Sequence, residues 1–183
     1  MRFEIAQKEV LNANSLPNHF IVKGKMAAAL RAKGAEAALA AHEHPKPARE
    51  RFEAIRAEED LKVHKFRARK KMTKTDATEE EILERLEKID EEFAPAKASS
   101  DIAVEYPFNK FRVDVLIEAP TRRRFDPPNL YPTVKHLVDG MTDASFWEDD
   151  SFDQLVEMSF RAGGLSGISK TFVVILNISS VED

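Results

Sequence analysis

Cysteine is absent from all 183 residues, so the chain can hold no disulfide, no thiol nucleophile and no thiolate-bound zinc or iron–sulfur centre. No apolar run approaches the roughly 18 residues of a membrane span. No internal repeat or low-complexity tract is evident. The opening MRFEIAQKEV alternates in polarity and carries charge, unlike a secretory signal. A soluble intracellular protein is therefore expected.

What is present fits a folded chain. Hydrophobic residues make up 43%, enough for a core, and the length suits one domain with an appendage. Charged residues reach 33%, above the usual quarter or so, which predicts that part of the chain is highly exposed. The net charge of −4 conceals a strong asymmetry. Residues 46–74 hold 11 basic and 5 acidic side chains, whereas 75–100 hold 3 basic and 9 acidic. A local basic face can bind phosphate under an acidic total, because fields are screened within about 8–10 Å.

Patterning predicts an α+β fold. A first strand is expected over residues 2–10, then turn chemistry in LNANSLPN (11–18). An alanine-rich helix follows over 20–42, with a possible interruption at Gly34 and a break at Pro45 and Pro47. Residues 48–72 and 79–93 read as two more helices, the second opened by a Thr78–Glu81 capping box. Together 46–98 forms a charged helical hairpin inserted in a single domain spanning 1–183. Its arms either attract each other or touch DNA or a second subunit. The last third reads as a strand over 108–118, a helix over 131–141 with Gly140 near its end, a strand over 151–161 closing at the AGG turn, and a nearly all-apolar, central strand over 171–178. Strands interrupted by helices imply a small mixed sheet with helices packed on it.

Chemistry concentrates in RRRFDPPNLYPTVKHLVDGMTDASFWEDD, residues 122–150. Asp126 follows a strand end, and Glu148, Asp149 and Asp150 precede the next strand. Two acidic loops bracketing one helix are expected to meet at one rim of the sheet. Carboxylates gathered there repel unless a cation sits among them, and Mg²⁺ suits oxygen ligands and bridges to phosphate. Arg122, Arg123, Arg124 and Lys135 suit a phosphodiester. An Asp139–Lys135 pair one helical turn apart is expected, and Trp147 reads as core, with stacking on an unpaired base as the alternative. His42 and His44 read as solvated loop residues and His136 as solvent-facing. Asp143 is a lesser candidate for reaching a metal.

This segment resembles the core of the RusA family of Holliday-junction resolvases, in particular its phage-type branch. The pattern of an Arg run, Asp-Pro-x-Asn-Leu-Tyr-Pro-Thr-x-Lys, Asp-Gly, Asp-Ala and a closing Asp-Asp is matched over 122–150. LNAN at 11–14 is similar to the family's Asn-containing loop. The resemblance covers roughly 1–42 and 101–178, leaving the hairpin outside it. It implies a homodimeric endonuclease of DNA recombination and repair, with Mg²⁺ as cofactor and Mn²⁺ as a substitute. Such an enzyme cuts four-way DNA junctions by paired nicks, in the cytoplasm of a bacterial host, with a phage or prophage as a possible source. Carried over by position, Asp126, Asp150 and Lys135 are catalytic. Asp126, Asp149, Asp150 and Asn129 are metal ligands, and Arg122, Arg123, Arg124, Lys135 and Asn14 contact DNA. One departure is clear. Asp-Pro-Pro-Asn stands where the best-known members have Asp-x-Asp-Asn, so Asn129 is the neutral substitute for a second acid. A non-catalytic junction binder or phage accessory protein is the alternative. A third reading makes the hairpin a protein–protein adaptor.

Overall fold

Alternation in RFEIA buries Phe3 and Ile5 and leaves Arg2 and Glu4 exposed, giving strand β1 (Arg2–Ala6). A computed structural model describes residues 1–15, 20–42, 45–75, 77–92 and 103–181. After β1 come α1 (Phe20–Ala41), α2 (Pro45–Met72), α3 (Glu79–Glu92), β2 (Phe111–Ala119), α4 (Tyr131–Asp143), β3 (Leu155–Leu165) and β4 (Thr171–Ser180). The protein is α+β. It divides into two compact units, one of Met1–Glu43 with Tyr106–Asp183 and one of His44–Glu105. Among the described residues no helix is long and apolar enough to cross a membrane.

The first unit carries a four-stranded sheet in the order β1-β4-β2-β3. β4 pairs antiparallel with both β1 and β2, and β2 pairs parallel with β3. The apolar 171–180 strand is thus central, as its composition predicts. Phe3, Ile5, Val174, Leu176, Val113, Val115 and Ile117 share one buried face by register. The opposite face carries Asp114 of β2, which accepts a 2.5 Å hydrogen bond from Ser159 of β3.

Several boundaries differ from the periodicity, each for a reason outside the segment. β1 stops at Ala6 because its partner β4 begins at Thr171. A 3₁₀ turn, Gln7–Glu9, takes over there, and the Gln7 amide donates to the Lys170 carbonyl at 2.8 Å. β2 starts at Phe111 rather than 108, and Phe108 makes only an isolated bridge to Trp147. Ala162, Gly163 and Gly164 are not a turn but part of β3, where the register with β2 slips between Ile117 and Ala119. A Cβ on Gly163 would lie 2.9 Å from the Glu118 side chain, so the missing side chain suits that slip.

α1 is continuous through Gly34, which marks a close approach of backbones rather than an interruption. A Cβ on Gly34 would sit 2.0 Å from the Leu137 carbonyl oxygen of α4. Gly140, inside α4, meets the Arg31 carbonyl oxygen at 1.9 Å in the same sense. Leu30, Ala35, Ala38 and Leu39 of α1 and Val134, Leu137, Val138 and Met141 of α4 are buried. At the start of α4 the exposed Tyr131 ring lies 6.3 Å from that of Phe160 in β3.

The second unit holds α2 and α3. Pro45 and Pro47 fall in the first turn of α2, where the missing amide hydrogens have no helical partner to lose. The capping box forms as expected. The Thr78 amide donates to Glu81 Oε2 at 2.8 Å, and the Glu81 amide to Thr78 Oγ1 at 3.3 Å. An ion pair joins Lys65 of α2 to Asp90 of α3. The linker expected over 94–100 and the end of the third helix at Phe93 lie outside the described residues.

Candidate nucleic-acid and metal site

The expectation that the two acidic loops share a rim is not what the sheet provides. β2 and β3 are parallel, so the chain leaves the carboxyl end of β2 at Asp126 and returns to the amino end of β3 after Asp150. These ends are opposite. The return loop nevertheless brings Asp150 to Lys135 of α4.

Asp126 lies in an open cleft of about 650 Å³ with Asn12, Asn14, Ser15, Arg124 and Asn129 among its lining. Sequence-distant pieces meet here because the first loop is tied to the segment after β2. The Ala13 amide donates to the Asn129 carbonyl at 2.7 Å. The buried Thr133 hydroxyl accepts from the Leu11 amide at 2.8 Å and donates to the Leu11 carbonyl at 2.9 Å. The Asn129 amide donates to the Asp126 carbonyl at 3.0 Å, closing the 3₁₀ turn Pro127–Leu130 that the two prolines start. Of the expected site residues, Asn14, Arg124, Asp126 and Asn129 therefore share one cleft. Arg122 and Arg123 are exposed just before it and do not line it.

Lys135, Asp139 and Asp150 form a second group. The Lys135 ammonium is 2.8 Å from Asp139 Oδ1 and also hydrogen-bonds Asp150. Burial works against its charge, but the bonds to Asp139 and Asp150 outweigh this and hold its pKa above the ordinary lysine value. The Asp150 amide donates to Asp149 Oδ1 at 2.9 Å, and Asp149 is exposed. Gln154 fixes this acidic loop, accepting from the Asp149 amide at 2.7 Å and donating to Glu148 Oε2 at 3.1 Å. Thr133 and Gln154 escape sequence reading, because their role is to hold loops distant from, or merely adjacent to, their own element.

Among the described residues no three His, Asp or Glu side chains gather closely enough to hold a metal ion. Asp126, Asp149 and Asp150 are thus not brought into one group. Beside the Arg124 guanidinium, the Asp126 cleft offers carboxylate, amide and hydroxyl oxygens, which suit a hard cation that keeps most of its water. Asp126 with the Asn129 side chain would hold such an ion, whereas Asp150 is paired with Lys135.

The remaining candidates have structural partners. Asp143 takes a two-point hydrogen bond from Arg31, with Nε to Oδ2 at 2.9 Å and Nη2 to Oδ1 at 2.6 Å. Trp147 is fully buried, as expected, stacks on Phe111 at 4.1 Å and donates its indole N–H to Thr142 Oγ1 at 2.7 Å. His42 is buried at the end of α1 against Phe146, not solvated as expected. His136 is partly buried, 3.3 Å from Asp139. His44 lies outside the described residues. The chain matches no family model, and no curated protein or solved structure is significantly similar to it.

Proposed function

We propose that this chain is a Mg²⁺-dependent, structure-selective endodeoxyribonuclease that nicks branched DNA, in the manner of the RusA resolvases its 122–150 segment resembles. The observation that carries the reading is the meeting of Asn14, Arg124, Asp126 and Asn129 in one polar cleft, next to the helix that bears Lys135. Exposed Arg122 and Arg123, with Arg124, bind phosphates flanking the cut. Lys135 remains protonated at neutral pH, so it neutralises developing phosphate charge or gives a proton and does not act as a base. Asp126 and Asn129 would hold the Mg²⁺, which when bound would supply an activated water and steady charge on the attacked phosphodiester. Two opposed strands of a junction call for two active sites, hence a symmetric homodimer. The setting is DNA recombination and repair in the bacterial cytoplasm, from a phage, prophage or host gene.

A second reading has its own support. The pairing of Lys135 with Asp150, and the lack of a three-carboxylate group among the described residues, suit a junction binder without cutting. One experiment separates the two. A labelled four-way junction and a matched linear duplex are incubated with and without Mg²⁺, beside Asp126→Asn and Asp150→Asn. Paired nicks only in the junction, only with metal and only in the unmodified chain are expected. Tight junction binding with intact DNA in every lane would establish the binder instead.

A further inference from the structure

A second anion site lies wholly within the unit of α2 and α3. Residues 61–75 hold seven Lys and Arg and no Asp or Glu. On that stretch His64, Arg67 and Lys71 recur at helical spacing and line a cleft of about 400 Å³, into which α3 contributes Arg85. Met72 and Ile89 add apolar surface to the lining. Arg67, Lys71 and Arg85 are exposed, and among the described residues they make no ion pair.

The placement of Arg85 carries the case. α3 is strongly acidic, and its neighbour Lys88 follows the ordinary rule, pairing with Glu84 at 2.7 Å. Arg85 instead joins two cations of the other helix. Gathering three fixed positive charges around one cleft costs free energy unless an anion occupies it. Two guanidinium forks and an ammonium match the oxygens of a phosphate, and nearby apolar side chains suit the sugar beside it. The cations line a concave cleft, a shape that suits a phosphate group.

We infer that this cleft binds a backbone phosphate of DNA, a contact separate from the Asp126 cleft. The phosphate chemistry stands on the cleft itself, whereas the choice of DNA as its source rests on the function proposed above.

The test measures binding by anisotropy, with EDTA present so that cutting plays no part. The full-length chain and its Arg67→Ala/Lys71→Ala/Arg85→Ala variant are titrated against a labelled linear duplex and a four-way junction over a salt series. Affinity for both DNAs should fall about tenfold or more at low salt, and the slope of log affinity against log salt should drop by about 2 to 3. An Arg67→Lys/Arg85→Lys variant should keep the slope, since the charge is kept, and matching thermal melts show that all the chains are folded. Unchanged affinity and slope in the alanine variant overturn the inference. So does retention of inorganic phosphate by the unmodified chain, lost in the alanine variant, with duplex binding unaffected by the phosphate, which would mark a free-phosphate site. Loss of binding to phosphatidylserine vesicles with DNA binding intact would assign the cleft to membranes instead. If the chain cuts nothing, the nuclease reading fails while this measurement still stands or falls alone.

Discussion

Gly34 of α1 lies against the carbonyl of Leu137 in α4 so closely that a Cβ there would sit 2.0 Å from the oxygen. The relation is reciprocal, because a Cβ on Gly140 of α4 would lie 1.9 Å from the Arg31 carbonyl oxygen of α1. Neither clash can be relieved by a side-chain rotation, since the obstacle is backbone. The α1–α4 pair also carries Thr133 and Lys135, so this crossing sets the position of the candidate site.

Gly34→Ala and Gly140→Ala should each destabilise the chain by about 3 kcal/mol or more, beyond the usual cost of an inserted methyl group. Gly24→Ala, in the same α1 helix with nothing within 4 Å, should stabilise by up to about 1 kcal/mol. Urea unfolding of the three variants checks this. Equal effects at Gly24 and Gly34 would refute the close crossing.

Thr133→Val removes the hydroxyl that both accepts from and donates to Leu11. A buried amide and carbonyl then lose their partner, at about 1–3 kcal/mol. The loop bearing Asn14 should loosen with it, so junction affinity should fall along with the melting temperature. Thr133→Ser keeps the hydroxyl and should retain most of both. A serine variant as weak as the valine one would show that the methyl group, not the tether, matters.

Lys135 gives a pH signature. A lysine in an unfolded chain titrates at about 10.4, and here the folded value is raised by Asp139 and Asp150 despite burial. The stabilisation is therefore complete below the unfolded value and is lost as pH rises through the folded one. The stability difference between the unmodified chain and Lys135→Met should be flat across neutral pH and should shrink only in strongly alkaline buffer. Unfolding titrations at several pH values test this. In junction assays Lys135→Ala should lower turnover by on the order of 100-fold with a smaller change in binding. Equal losses would make Lys135 a contact residue only.

Much of this was readable from local pattern. The capping box at Thr78 and Glu81, the apolar central strand at Thr171–Ser180 and the Lys135–Asp139 pair each involve residues close in sequence or a single uniform run. The two glycines misled, because Gly34 reads as an interruption and Gly140 as a stop signal unless the facing helix is known. AGG at 162–164 reads as a turn for the same reason, since only the slipped register with Ile117–Ala119 reveals why small residues stand there.

The residues of a cap, a strand period or a helical turn interact within a few positions, so the chain encodes them directly. That is why the α+β class follows from patterning alone. The pairing of β2 with β3 is different in kind. It is parallel, and it places the exits toward Asp126 and from Asp150 at opposite strand ends, however close they look along the chain. Asp150 meets Lys135 only because of the course the return loop takes after α4, and Asn14 meets Asp126 only because Thr133 and Asn129 hold the first loop. Contacts between segments that are not local in sequence, some more than a hundred residues apart, depend on packing and register, and these exist only once the tertiary structure has formed.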